Sequence, residues 1–365
     1  MLSELQNIFH DVKFRLGALR SAARLKWRVK MASISRPRLA VPLLSGLIAF
    51  ALCGWSPVQG AWRVSVPAIS GAFGPVWIAA EGGLFKKYGL DAEVVYIRGA
   101  TQATAAFLSG EVQVGATGGE GVVAAYRAGN RDLAIIGAVS NKLVLSMMAH
   151  ASVRTPSDLK GKTVAISRFG GIVDFGARYI LARSGLEPGK DVNLIQAGGV
   201  PEVIAVMEKG LAQAGVMSPP TTLKARQLGY RELVDLAQAD FPYASIVLIA
   251  RRQLLRERAT LVESFLKAYS EGAALYRKDK SLAFRVLRKH TKTNDENVLE
   301  ETYRAYALGA IPRVPVVPQE ALQNVIDSRK EPDRPGLAPL RAEDILDMGL
   351  LLKLQREGFF ETLSR

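Results

Sequence analysis

The sequence predicts an α/β protein of two similar lobes, each a mainly parallel sheet covered by helices, and three observations predict it. Strand-like and helix-like segments alternate from Trp62 onward, the pattern that parallel sheets require. Gly, Ser and Thr gather where each strand passes into a helix. The order of "YGLDAEVVYIRGATQATAAFLSGEVQVGATGG" is echoed by "SGLEPGKDVNLIQAGGVPEVIAVMEKGLAQAGVMSPP", with Gly110 and Gly115 matched by Gly210 and Gly215 one hundred residues on. Two such units in one chain imply a crevice between lobes; the alternative is that all βαβ units look alike.

Residues 1–60 read as a leader. Arg36 and Arg38 precede an apolar run from Leu39 to Leu52, and Val58, Gln59 and Gly60 offer a small-residue cleavage pattern, the layout of a secretory signal peptide. Pro42 and Gly46 interrupt a run already short for a membrane span. The start is Met1 or Met31. A lipid anchor at Cys53 is the lesser alternative, because Leu52 stands where a lipoprotein signal has a small residue. The expected location is the periplasm.

The leader carries nine Lys/Arg against two Asp/Glu, half of the chain's net charge of +14. The remainder is a mild basic bias without a stripe of basic and aromatic residues, so nucleic acid is set aside. Cys53 is the single cysteine, so the exported part has no thiol to oxidise, which suits an oxidising compartment.

The exported part opens with a strand, Trp62 to Val66, the turn Ser70 to Gly74, and one helix from Pro75 to Tyr88, with Pro75 at a first helical position. Trp77 and Phe85 fall at core spacing on it. Further strands and helices follow at 93–97, 101–109, 112–116, 121–128 and 133–139. The chain is expected to cross between lobes near Ala149 to Thr155 and to return near Ala239 to Ala244. The first lobe then comprises residues 61–150 and the mostly helical 242–365, and the second lobe 151–241. Beyond a strand at Ser245 to Ala250, Leu261, Phe265, Ala268 and Leu275 share one helix face, and Leu282 and Val286 lie on the next.

Two phosphate-site look-alikes fail on context. Gly161, Lys162, Thr163 enters a strand instead of leaving one, with Pro156 where a phosphate loop needs glycine. Gly119, Gly121, Ala124 lacks the acidic residue that a dinucleotide site places about twenty positions on. The turn Ser167, Arg168, Phe169, Gly170, Gly171 does sit between a strand end and a helix start, where free N–H groups converge. Arg168 suits a carboxylate or sulfonate; Arg98 has a weaker claim. Asp174 is a candidate partner for a cationic group, with an ordinary ion pair to Arg178 as the equal alternative. Phe73 and Phe169 sit in turns at strand ends, where an aromatic can line a crevice. Thr101 with Gln102, Thr117 with Gly118, Gly199 and Ser218 lie at strand-to-helix junctions. In a parallel sheet these junctions share one edge, outside which ligands bind. His150 and His290 read as structural, and no catalytic motif, metal set or cofactor motif stands out.

"GPVWIAAEGGLFKKYGLDAEVVYIRGATQATAAFLSGEVQVGATGG", "DLKGKTVAISRFGG", "GVMSPP" and "VESFLKAYSEGAALYRKDK" resemble the solute-binding proteins of ABC importers in the nitrate, sulfonate and taurine group, the NMT1/THI5-like group. The resemblance implies a type II periplasmic binding protein fold, two lobes joined by two crossover segments with the ligand cleft between them. It implies a monomer that captures a small solute by hinge closure for a membrane permease and its ATPase subunits, without cofactor or catalysis. Carried over by position, it implies cleft contacts from Ser70, Gly71, Phe73, Thr101, Gln102, Thr117, Gly118, Asn141, Ser167, Arg168, Phe169, Gly170, Gly199 and Ser218. The turn from Ser70 to Phe73 lacks the charged or amide side chains that some sulfonate binders place there, leaving an aromatic, carboxylate or heterocyclic solute open. The same group includes thiamin-pyrimidine enzymes that use iron and histidine, against which the leader and the few histidines argue. Porphobilinogen deaminase, a relative in fold, needs a cysteine that the exported part lacks. A periplasmic sensory module is the third reading.

Overall fold

A computed structural model describes residues 61–328, 336 and 338–364, which fall within one compact unit. The leader, including Met31, the 39–52 run and Cys53, lies outside the described residues. Ten strands form two five-stranded sheets. The first contains β1 (Trp62–Val66), β2 (Ala92–Tyr96), β3 (Val114–Gly118), β4 (Leu133–Ser140) and β10 (Ile246–Arg251), in the order β2-β1-β3-β10-β4. The second contains β5 (Ser146–Ala149), β6 (Thr163–Ile166), β7 (Asn193–Gln196), β8 (Ala214–Met217) and β9 (Arg231–Asp235), in the order β7-β6-β8-β5-β9.

The sheets are mixed, and one topological fact explains both exceptions to parallel pairing. β10 runs antiparallel to β3 and β4, and β5 runs antiparallel to β8 and β9. Each is the first strand after the chain changes sheets. A chain arriving from the other sheet enters at the edge toward which the remaining strands point, so its first strand runs back against them. Because β5 already belongs to the second sheet, the first crossing occupies residues 141–145, earlier than the expected 149–155. The return, between Asp235 and Ile246, lies where Pro242 broke the pattern. The two crossing segments hold each other through Tyr243 N–H to the Asn141 carbonyl at 2.9 Å and Leu236 N–H to the Leu145 carbonyl at 2.9 Å.

The internal echo is an identity of register. β1 pairs with β3 through Val64–Val114 and Ser65–Gly115, and β6 pairs with β8 through Val164–Ala214 and Ala165–Gly215, each residue displaced by one hundred. A glutamine repeats with it. The Gln113 side chain accepts from Arg63 N–H at 2.8 Å and donates to the Gly110 carbonyl at 3.0 Å. The Gln213 side chain accepts from Thr163 N–H at 3.1 Å and donates to the Gly210 carbonyl at 3.5 Å. Each glutamine ties the start of a first strand to the glycine turn before the third.

The expected helix from Pro75 to Tyr88 is two helices, α1 (Gly74–Glu81) and α2 (Leu84–Lys87), because Gly83 adopts φ +68° between them. α3 (Ala100–Ser109) and α4 (Gly119–Arg127) follow β2 and β3. The glycines that imitated a dinucleotide motif serve packing: a Cβ at Gly119 would meet the Ala244 carbonyl, and one at Gly121 would lie 2.8 Å from Thr104 Oγ1. α5 (Ile172–Arg183), α6 (Val200–Glu208) and α7 (Thr221–Gln227) follow β6, β7 and β8. Beyond β10 come α8 (Arg252–Glu257), α9 (Ala259–Lys278), α10 (Lys280–Thr291), α11 (Glu296–Tyr303), a π-helical turn Arg304–Ala310, and further short helices. α9 packs on α1 at a close crossing, where a Cβ at Gly272 would meet the Pro75 carbonyl. Trp77, Phe85, Phe265, Ala268 and Val286 are buried in that core as expected, while Leu261, Leu275 and Leu282 are partly buried against it.

His150 and His290 have local partners: His150 Nδ1 lies 2.9 Å from Ser152 Oγ, and His290 stacks on Trp77 with Nε2 2.6 Å from Glu81 Oε1. Partial burial works to raise the Glu81 pKa, but hydrogen bonds from His290 and Lys289 outweigh it and hold the carboxyl below its usual 4.5. A lowered folded pKa gives stability that is present above the unfolded value and lost as pH falls through the folded one. Chemical denaturation at stepped pH is expected to show that loss below about pH 4.5, and Glu81→Gln is expected to flatten it. Gly115, at φ +146°, would place a Cβ 2.5 Å from both the N and O of Ser65. Gly115→Ala is expected to cost on the order of 3 kcal/mol, whereas Gly210→Ala, with nothing within 4 Å of its Cβ, costs about 1 kcal/mol for its left-handed conformation.

Candidate functional site

Both sheets direct the C-terminal ends of their parallel strands toward the segments that join them, and the turns at those ends carry the candidate residues. In the second lobe the turn after β6 is held from three sides. Phe169 N–H donates to Gln196 Oε1 at 3.0 Å, Gly170 N–H to Asp174 Oδ2 at 2.9 Å, and Arg168 Nε to the Gly198 carbonyl at 3.1 Å. The loop is thus fixed before any ligand arrives, which lowers the ordering cost of binding. Phe169 is nonetheless 52% exposed.

The lobes approach one another at three places along their facing edges. Tyr306, in the π-helical turn, is buried, and its hydroxyl lies between the hydroxyls of Ser70 of the first lobe and Ser218 of the second, close enough for both to act on its ionisation. Burial pushes its pKa up, and the two serines pull the other way. At the opposite side, Arg98, beyond β2, is exposed, and the neighbouring Tyr96 and, more weakly, Glu202 on α6 favour its charged form. On the hinge side, Thr222 Oγ1 donates to Glu301 Oε1 at 2.6 Å, and Arg226 Nη1 donates to the same oxygen at 3.1 Å.

A cavity of about 610 Å³ lies on that hinge side, bordered by Lys142, Leu145, Thr222, Asp235, Glu301 and Arg304. None of the fifteen candidate residues lines it. The π-helical turn presents Ala305, Gly309 and Ala310 to this cavity and Tyr306 to the serines, so it partitions the space between the lobes. Sequence reasoning missed Tyr306 and Glu301, which lie in helical sequence with no glycine or serine signal.

The structure brings Ser70 and Ser218 together and leaves Thr101, Gln102, Arg168, Phe169 and Gly170 exposed at the strand ends. Ser167 and Gly118 are half-buried there. Gly199 is the N-cap of α6, overlaid by the Glu202 carboxylate. Other candidates are turned inward. Phe73 is 1% exposed and packs in the core instead of lining an opening. Gly71 is buried because Thr302 and Tyr306 occupy the place of a side chain. The Thr117 hydroxyl reaches Thr104 Oγ1 at 3.3 Å and donates to the Ala100 carbonyl at 3.2 Å, inside the first lobe. Asn141 donates through Nδ2 to the Val316 carbonyl at 2.8 Å and braces the first crossing. Asp174, 6% exposed, pairs with Arg178 at 2.7 Å, so the ion-pair alternative is the one observed.

Comparison with known proteins places this geometry. The NMT1/THI5-like family model matches residues 71–281, which span nine of the ten strands. YtlA of Bacillus subtilis (strain 168) is 22% identical over 229 residues, 60% of this chain and 68% of that protein. The alkanesulfonate-binding protein SsuA from Xanthomonas axonopodis pv. citri, bound to MOPS, superposes with a TM-score of 0.63 at 17% identity, covering 79% of this chain and 98% of the other. The periplasmic nitrate-binding protein NrtA from Synechocystis PCC 6803 gives 0.61 at 15% identity, covering 81% and 88%. The shared fold is that of periplasmic binding proteins. Among the described residues no helix is long and apolar enough to cross a membrane.

The inward position of Asp174 has a measurable consequence. Asp174→Ala removes both the ion pair to Arg178 and the acceptor of Gly170 N–H, and it is expected to lower stability by about 1–3 kcal/mol in urea denaturation. A carboxylate held free for a ligand would leave stability unchanged or raise it.

Proposed function

This chain belongs to the NMT1/THI5-like family, and from that premise we propose that it captures a small solute in the cleft between its lobes, by hinge closure, as the binding component of an ABC importer. The observation that carries the reading is that both sheets end their parallel strands at the two crossing segments, so the strand-end turns of the two lobes face one another, with Tyr306 set between Ser70 of one and Ser218 of the other. Two antiparallel crossing segments bonded to each other are a compact hinge, about which two lobes rotate as rigid bodies. A solute that touches both lobes favours the closed form by the contacts that only closure makes.

Ser70, Thr101, Gln102, Ser167, Arg168, Phe169 and Ser218 are the side chains we assign to the solute. The sulfonate and nitrate named for the structural relatives agree in charge with Arg168, which supports an anionic or acid-bearing solute here. Binding needs no covalent step, and the reading assigns none. The basic and apolar leader supports export to the periplasm, where a membrane permease with its ATPase subunits would receive the loaded protein.

A thermal-shift panel of nitrate, sulfonates and organic acids tests this. A solute at one hundred times its Kd is expected to stabilise the fold by about 2.7 kcal/mol, seen as a rise in Tm. A panel in which nothing stabilises the protein while one compound is chemically converted would overturn the reading.

A further inference from the structure

The strand-end turns carry an apolar pairing that the family reading does not predict. Seven large hydrophobic side chains are exposed among the described residues, and just two of them, Tyr96 and Phe169, are aromatic. Both stand at the cleft edge of their sheets, and so does Ile69. Ile69 and Phe169 are 58% and 52% exposed and occupy equivalent places in the two lobes. Each is the third residue beyond the first parallel strand, β1 ending at Val66 and β6 at Ile166. Tyr96 pairs in register with Val66, so it borders the turn that carries Ile69. The pseudo-repeat therefore sets an apolar side chain on each lobe at matching positions. Exposed aliphatic and aromatic side chains grouped on a surface mark a contact site, and these three stand at the strand ends of the two sheets.

Charge selects among apolar guests. Arg168 is next to Phe169 in sequence, and Nε is its one bonded nitrogen; no carboxylate pairs with its guanidinium among the described residues. Of the nearby carboxylates, Asp174 is held by Arg178 and Gly170, and Glu202 folds over Gly199 at the start of its own helix. Arg168 therefore brings a forked positive charge without a carboxylate partner to this edge, the geometry that matches a carboxylate through two parallel hydrogen bonds. A small inorganic anion or a methyl sulfonate would satisfy the arginine and leave all three apolar side chains in water.

Resting on the solute-capture reading, we propose that the solute is an aryl carboxylate, its ring covered by Ile69, Tyr96 and Phe169 and its carboxylate paired with Arg168. Isothermal titration of the full chain with benzoate, cyclohexanecarboxylate, methanesulfonate and nitrate tests it. Benzoate is expected to bind more tightly than each of the other three. Phe169→Ala is expected to weaken benzoate at least tenfold, and Arg168→Gln to weaken it at least as much. Both side chains are exposed, so both variants are expected to keep the parent Tm. Equal affinity for benzoate in the parent and in Phe169→Ala overturns the proposal, as does failure of benzoate to bind at millimolar concentration. If methanesulfonate or nitrate then binds, solute capture stands and the aromatic assignment falls. If no compound of the wider solute panel binds either, both readings fall.

Discussion

The constraint on which everything else rests is the parallel pairing of the first and third strands of each lobe, Val64–Val114 with Ser65–Gly115 and its copy one hundred residues later. The pairing aligns the ends of these strands, and through them the turns that follow. Gly115 permits it in the first lobe, because its missing side chain lets the Ser65 backbone lie where a Cβ would be. In the second lobe Gly215 leaves room for Val203 and Met207 of the covering helix. One glycine position thus serves two purposes, backbone approach in one sheet and helix packing in the other. The turns bearing Ile69 and Phe169 correspond because the strands that launch them correspond.

Much of this is legible in the sequence. Alternating apolar segments give the order of strands and helices, and glycines at matched spacing give the two lobes. The features that sequence hides have physical causes. β5 is four residues of Ser, Met and Ala, without the β-branched residues that make a short strand readable, so the first crossing is expected later than it occurs. β9 begins Arg-Glu and carries little strand signal. The break between α1 and α2 is foreseeable from Gly82–Gly83, but a continuous apolar periodicity runs across it.

The candidate residues divide by a rule that sequence cannot express. A turn residue at a strand end faces the cleft or the core according to the local path of the chain. Phe73 and Phe169 both stand in such turns, yet one is 1% and the other 52% exposed. Backbone path separates them. After β1 the chain tightens into a helical turn at Gly71–Phe73 that packs beneath Tyr276 and Tyr306. After β6 the chain makes an open turn, with Gly170 at φ +74°, that is held from outside by Gln196 and Asp174. The residues that close the base of the cleft, Tyr306 and Glu301, come from the C-terminal helices. Nothing in their local sequence separates them from ordinary helix positions.

The central claim is that the lobes rotate about the paired crossing segments to enclose a solute. The most direct measurement is the distance between spin labels at cysteines introduced at Lys86 and Lys190, one on each lobe, in a chain whose single native cysteine, Cys53, is replaced by serine. Saturation with a stabilising solute is predicted to shift the distribution to one shorter, narrower distance. A distribution that stays the same while titration shows the solute bound would contradict the account.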